Sequence, residues 1–249
     1  MYKRQVGKWT VTYLKTLEEK NAPEDQLEEI CKKYWNNSGV RRYYIDRYFE
    51  KKEYDRVLQV LDESIELDKA YRGQVLEYNQ KKKEIYRLQG NKSAYIEQLW
   101  KLVLEQSAGD LDIYKELKAQ YSEKEWLIKR EELFKKLPAN AHIDRLYKEE
   151  KLYDRLLAYV LKSSGLYAVQ SYENVLKKEY PKQILSKYQD EVNKMASCTG
   201  NRKHYADLVA LLRRMKQIKG GSEIVETIVE EWKIKYRNRP AMMDELSKL

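Results

Sequence analysis

The sequence predicts an all-α chain built as a continuous array of antiparallel helix pairs. Three observations carry this. Apolar residues recur at helical spacing from end to end. The 249 residues include only 9 Gly and 4 Pro, mostly at breaks between apolar stripes, which argues against a turn-rich β fold. Two stretches of sequence recur at such breaks, as a repeated helical hairpin requires.

The stripes place the helices in order. Ile45, Tyr48 and Phe49 share one helix face at i, i+3, i+4. Tyr54, Val57, Leu58, Leu61 and Ile65 form the next stripe, followed by Leu99, Leu102 and Val103. Leu152, Leu156, Tyr159 and Val160 make another, and Leu208, Leu211, Leu212 and Met215 a later one. No segment alternates apolar and polar for long enough to read as a strand. The breaks fall at Asn21-Ala22-Pro23, Asn37-Ser38-Gly39, Gly90-Asn91, Ala108-Gly109-Asp110, Pro138-Ala139-Asn140, Ser164-Gly165, Pro181, Thr199-Gly200-Asn201 and Gly220-Gly221-Ser222. Gly tolerates the left-handed conformation that ends helices, and Asn, Asp and Ser cap the next one. Ser122 with Glu125 reads as a capping box opening a helix that holds Trp126. This gives about 14–16 helices of roughly 8–20 residues. With no flexible linker, residues 1–249 read as a single helical-repeat domain, with 1–138 and 139–249 as candidate sub-units.

The first echo pairs residues 45–58 with residues 143–157. Ile-Asp-Arg opens both, and Tyr54-Asp55-Arg56-Val57-Leu58 matches Tyr153-Asp154-Arg155-Leu156-Leu157, with one inserted residue expected in the turn. The second pairs Gly90-Asn91 through Tyr95 with Gly200-Asn201 through Tyr205. The stretch from Tyr54 to Asp68 resembles the second helix of a tetratricopeptide repeat. Val57, and Leu156 in the second copy, occupy the position where that family keeps a small residue. The resemblance implies a degenerate tetratricopeptide-like α-solenoid, an α-α superhelix, without the fixed ~34-residue period.

Composition narrows the function classes. At 42% hydrophobic residues the chain is too apolar for wholesale disorder. No stretch approaches the ~20 apolar residues of a membrane span, and the start, Met1-Tyr2-Lys3-Arg4-Gln5, is unlike a signal peptide. Two separated cysteines, Cys31 and Cys198, make no disulfide framework and fit a reducing cytoplasm. The 22 Tyr beside 2 Phe suit helix seams, where the ring is buried and the hydroxyl reaches a polar partner. The rival reading of these tyrosines is a base-stacking platform.

The search for catalytic chemistry is negative. There is no phosphate-binding loop or dinucleotide fingerprint. Gly220-Gly221-Ser222 reads as a helix break with a Ser cap. His142 and His204 lack partners at metal-ligand spacing. Cys198 and His204 are formally a nucleophile–base pair across a turn, but read as unrelated. The adjacent Glu149-Glu150 and Glu230-Glu231 do not share a helix face. The sequence therefore predicts no catalytic, cofactor or metal residues, and a non-enzyme. The net charge of +9 has one candidate location near the C-terminus. Arg202, Lys203, Arg213, Arg214, Lys216 and Lys219 precede Lys233, Lys235, Arg237 and Arg239. They read either as a phosphate-contacting patch or as the polar outer face of a terminal cap.

The C-terminal stretches from His204 to Met215 and from Tyr236 to Leu246, joined through Gly220-Gly221, resemble the C-terminus of bacterial SWIM zinc-finger family proteins. Residues 84–95 and 110–118, with Trp126, are similar to that family's helical region. The defining Cys-x-Cys…Cys-x-His finger is absent from this sequence, so no zinc ligand carries over. The resemblance implies an accessory helical scaffold in a bacterial cytoplasmic protein. The expected function is a scaffold that binds a protein partner on a concave face, with nucleic-acid binding through the C-terminal cations as the alternative and no membrane association.

Overall fold

The amphipathic stripes and the caps between them produce fifteen α-helices in a computed structural model that describes residues 2–198 and 200–249. No strand occurs among the described residues. The expected turn at Thr199-Gly200-Asn201 lies partly outside them. The chain divides into two compact units, Met1–Ile143 and Asp144–Leu249.

The N-terminal unit contains α1 (Tyr2–Glu19), α2 (Glu24–Lys33), α3 (Ser38–Glu50), α4 (Tyr54–Leu67), α5 (Arg72–Leu88), α6 (Lys92–Lys101), α7 (Leu111–Lys118) and α8 (Glu123–Lys136). From α3 to α7 each helix packs on the next, and α1 also lies against α3. The caps are those the sequence signals. Asn37, Asn91 and Asp110 accept hydrogen bonds from the first amides of α3, α6 and α7. Ser122 and Glu125 form the reciprocal capping box of α8. One feature has no signal in the apolar pattern: α6 runs on into a π-helical turn, Leu102–Gln106.

The second unit contains nearly all of α9 (Ile143–Glu149), then α10 (Tyr153–Lys162), α11 (Tyr167–Leu176), α12 (Pro181–Ser197), α13 (Arg202–Lys216), α14 (Gly221–Lys235) and α15 (Pro240–Leu246). Its buried residues, from Leu156 to Leu246, form one apolar cluster. Burying an aliphatic or aromatic side chain of this kind contributes about 1.5–3 kcal/mol. The cap of α14 is not Ser222. Gly220 holds the position at φ 82°, with no side-chain cap bond. Gly221 is needed for a close approach, since a Cβ there would sit 1.9 Å from the Met215 carbonyl oxygen.

The first sequence echo is also a structural one, in a corrected register. Lys52 and Lys151 both adopt the left-handed region, at φ 60° and 56°. Around each, three bonds recur. The amides of Lys52, Glu53 and Val57 donate to the carbonyls of Phe49, Tyr48 and Glu53, and those of Lys151, Leu152 and Leu156 to the carbonyls of Lys148, Tyr147 and Leu152. The two turns have equal length at a constant offset of 99 residues, from Lys52 to Lys151, so neither contains the expected insertion. Val57 and Leu156 are equivalent and fully buried. In the second echo the caps match, Asn91 to the Ala94 amide and Asn201 to the His204 amide. The glycines do not, because only Gly90 is left-handed.

The tyrosine excess resolves into a repeated bond. Tyr hydroxyls donate to carboxylates of another helix or its flanking turn at Tyr43–Glu18 (2.9 Å), Tyr48–Glu28 (2.8 Å), Tyr78–Asp68 (2.8 Å), Tyr172–Asp144 (2.5 Å), Tyr180–Asp154 (2.5 Å) and Tyr188–Glu173 (2.5 Å). Tyr95 meets Glu116 in the same way. Most of these rings are buried while the oxygen finds a charged acceptor. Such charge-assisted bonds are stronger than neutral ones. Trp9, Tyr13 and Tyr167 depart from this use of aromatics and are largely exposed.

Candidate functional site

The middle of α1 and the first turns of α3 and α5 meet around one cavity. Asn37 caps α3 by accepting the Gly39 amide at 2.9 Å. Its side chain seats against Gly7 of α1, where a Cβ would lie 2.2 Å from Asn37 Nδ2. Gly7 therefore lets α1 come close to the start of α3. Gln74, in the first turn of α5, completes the wall.

Two adjacent arginines of α3 part company here. Arg41 is fully buried. It donates to Asp68 Oδ2 at 2.5 Å, Ser64 Oγ at 3.1 Å and the Trp35 carbonyl at 2.6 Å. Tyr78 donates to the same Asp68 oxygen at 2.8 Å. Burial, then this bond, pushes the Tyr78 hydroxyl up to about 12. Arg42 turns outward and pairs with the exposed Glu77 at 2.6 Å. Its Nε, however, is buried without a hydrogen-bond partner, and so is Gln74 Oε1.

The cavity is about 920 Å³ and is lined by Lys8, Val11, Thr12, Arg42, Tyr71 and Gln74 among others. A second, of about 590 Å³, runs between α1 and α3 past Lys15, Asp46, Phe49, Glu50 and Lys81. A third, of about 240 Å³, lies between α3 and α5. Arg42 lines all three, so they adjoin along one face. The first is lined by the cations Lys8 and Arg42, the latter paired with Glu77 outside the lining, and its single lining carboxylate, Asp68, is already held by Arg41 and Tyr78. The N-terminal ends of α3 and α5 add their partial positive charge.

Behind this face the α2–α3–α4 seam is a network of charges. Arg47 and Lys51 donate to Glu24 at 2.7 and 2.8 Å, and Tyr48 reaches it at 2.5 Å. Those bonds, led by Arg47, hold the Glu24 carboxyl down at about 2. Arg56 pairs with Glu28, with its guanidinium 3.8 Å from the Tyr48 ring centroid. Burial pushes the Cys31 thiol up to about 11, which leaves it a packing residue.

The ten cations singled out at the C-terminus are placed on several sides. Arg213 donates to the Lys248 carbonyl at 2.5 Å, whereas its neighbour Arg214 donates to both Glu173 oxygens at 2.9 Å. Arg239 donates to the Ala196 carbonyl at 2.7 Å and lies over the Tyr236 ring. Arg202 pairs with Asp244 at 2.8 Å, Lys216 approaches the Leu249 carbonyl at 3.5 Å, and Lys235 lies over Tyr236. Lys203, Lys219, Lys233 and Arg237 are exposed. Cys198 and His204 take separate partners, the Lys194 and Met195 carbonyls. Among the described residues, no group of three or more His, Cys, Asp or Glu is placed to hold a metal ion, and no helix is long and apolar enough to cross a membrane.

Arg42, Lys8 and Gln74 were not singled out by the sequence pattern. The available signal was a charge doublet, Arg41-Arg42, next to a predicted helix break. What the fold and these cavities define is an all-helical chain of packed helix pairs whose N-terminal unit carries three adjoining cavities that share Arg42. Compared with protein-family models, curated proteins and solved structures, the chain gives no match.

Proposed function

We propose that the chain is a non-enzymatic helical-repeat scaffold that binds a protein partner in the groove along α1, α3 and α5. The observation that carries this is the set of three adjoining cavities sharing Arg42. Solenoids use such faces to bind extended partners. The first helices of two successive pairs begin at Ser38 and Arg72, a step of roughly 34 residues that supports a tetratricopeptide-like superhelix. The C-terminal resemblance described above supports an accessory role in a bacterial, cytoplasmic SWIM zinc-finger-type protein.

The test places a photo-crosslinking residue at Tyr71, in the groove, and at Tyr167, an exposed control. In native bacterial lysate, Tyr71 should give a discrete adduct that resists nuclease, and Tyr167 should not. Equal labelling from both positions, or none from Tyr71, defeats the reading. Nucleic-acid binding through Lys203, Lys219, Lys233 and Arg237 is the second reading, favoured by their exposure. It requires an affinity for DNA or RNA that falls steeply with salt, and no binding at low salt removes it.

A further inference from the structure

We infer that the cavity between α1 and the starts of α3 and α5 takes an extended acidic peptide segment of the partner, with a carboxylate held by Arg42 and Lys8 and the peptide main chain bonded to Gln74. This rests on the scaffold reading and adds the ligand's chemistry to it.

Three observations define that chemistry. First, the cavity is lined by Lys8 and by Arg42, whose present partner Glu77 is exposed and exchangeable, and its one lining carboxylate, Asp68, is internally matched by Arg41 and Tyr78. An incoming carboxylate is therefore not repelled. Second, a buried donor and a buried acceptor are unspent, Arg42 Nε and Gln74 Oε1. Unsatisfied buried groups are costly, and a rotation of the two side chains would offer both to one ligand. A carboxylate alone supplies only acceptors, whereas a peptide adds main-chain N–H groups. Third, the groove continues past Asp46 and Glu50, both exposed. A nucleic-acid backbone would place phosphates beside these carboxylates as well as beside Lys15 and Lys81, and a DNA backbone would leave Gln74 Oε1 unmet. A peptide with its acidic residue at the Arg42 end and neutral or basic residues further along meets neither obstacle. Tyr71, 62% exposed, and Val11 offer apolar contact beside the charge.

The experiment is selection of a random-peptide library on the full-length chain, then fluorescence polarisation with the most enriched peptide. Enriched sequences should share an Asp, a Glu or a free C-terminal carboxylate. Arg42→Ala should weaken binding about tenfold or more, the loss of a charge-assisted pair. Arg42→Lys should recover only part of it. Lys8→Ala, at an exposed site that does not threaten folding, should weaken binding about threefold. Arg237→Ala should leave it unchanged. Circular dichroism of each variant confirms retained helicity. Three results would overturn the proposal: no enriched peptide, enriched peptides without acidic groups, or acidic peptides indifferent to both Arg42→Ala and Lys8→Ala. Displacement of the peptide by stoichiometric oligouridylate would overturn it in favour of nucleic acid. The crosslinking experiment separates the readings, because a groove adduct with no Arg42 dependence preserves the scaffold and rejects this pocket.

Discussion

In the N-terminal unit, the buried residues around Leu14 and around Ile45 form distinct clusters, and charged groups tie the helices between them. Arg41 with Asp68, and Glu24 and Glu28 with Tyr48, Arg47 and Arg56, form this network, whereas polar seams of the second unit are mostly single Tyr–carboxylate bonds such as Tyr172–Asp144. There, residues from Leu156 to Leu246 make one apolar cluster, and the Glu173–Arg214 pair sits at its partly exposed margin. Polar seams cost desolvation and give directional bonds, whereas apolar seams give stability without direction. The unit with networked polar seams is the one whose groove retains unspent donors and acceptors.

This contrast can be broken at its strongest point. Arg41→Ala should cost roughly 3–5 kcal/mol, because it strands a buried carboxylate. Arg41→Met with Asp68→Leu should recover most of that loss, and denaturant unfolding of single and double variants checks it. Recovery absent in the double variant would show that the loss lies in the other bonds of Arg41, to Ser64 and the Trp35 carbonyl. In the second unit, Leu212→Ala should cost about 2–5 kcal/mol through the cavity it leaves. Arg214→Met should cost less than Arg41→Met, since Arg214 is 36% exposed and Tyr188 still donates to Glu173.

Both units should share a response to alkali. Burial and carboxylate bonds push the Tyr43, Tyr78 and Tyr95 hydroxyls up to about 12 from the ordinary 10, and Tyr172 and Tyr188 shift the same way. The unfolded chain loses these protons first. The stability they contribute is therefore complete below pH 10 and falls as pH rises from 10 towards 12. Tyrosinate absorbance should appear late and together with loss of helicity. Ionisation near pH 10 with the helices intact would contradict it. The smallest expected effect is shared as well. Lys52→Gly and Lys151→Gly should each stabilise by about 1 kcal/mol, since both lysines occupy a conformation that penalises a Cβ. Unequal gains in thermal unfolding would mean that the two turns are not equivalent.

Much of the fold was legible because helix signals are local. The Ser122–Glu125 box, the Asn37, Asn91, Asp110 and Asn201 caps and the stripe from Tyr54 to Ile65 all lie within a few residues of what they control. The π-helical turn at Leu102–Gln106 was not legible, because Leu99, Leu102 and Val103 fit an ordinary helix equally well. The repeat was recognised from Ile-Asp-Arg and Tyr-Asp-Arg, yet its register followed the turn hydrogen bonds, which tolerate replacing Glu53 by Leu152. The groove was hidden for a different reason. Arg41 and Arg42 are identical and adjacent, and only the position of Asp68 after α4 decides which one is buried. The C-terminal cations could be counted in sequence, but not their acceptors, the carbonyls of Ala196 and Lys248, which come from distant segments.

The matched turns at Lys52 and Lys151 make the chain interchangeable with itself at two points. The reversals share three backbone bonds, although α3 packs closely on α4 and the short α9 does not pack so on α10. Joining residues 1–52 directly to 152–249 would bring α3 onto α10 through a junction that both parents already make. Removing or doubling the 99 residues between would then leave the bonds of the turn unchanged, and the burden of such an edit would fall on helix packing.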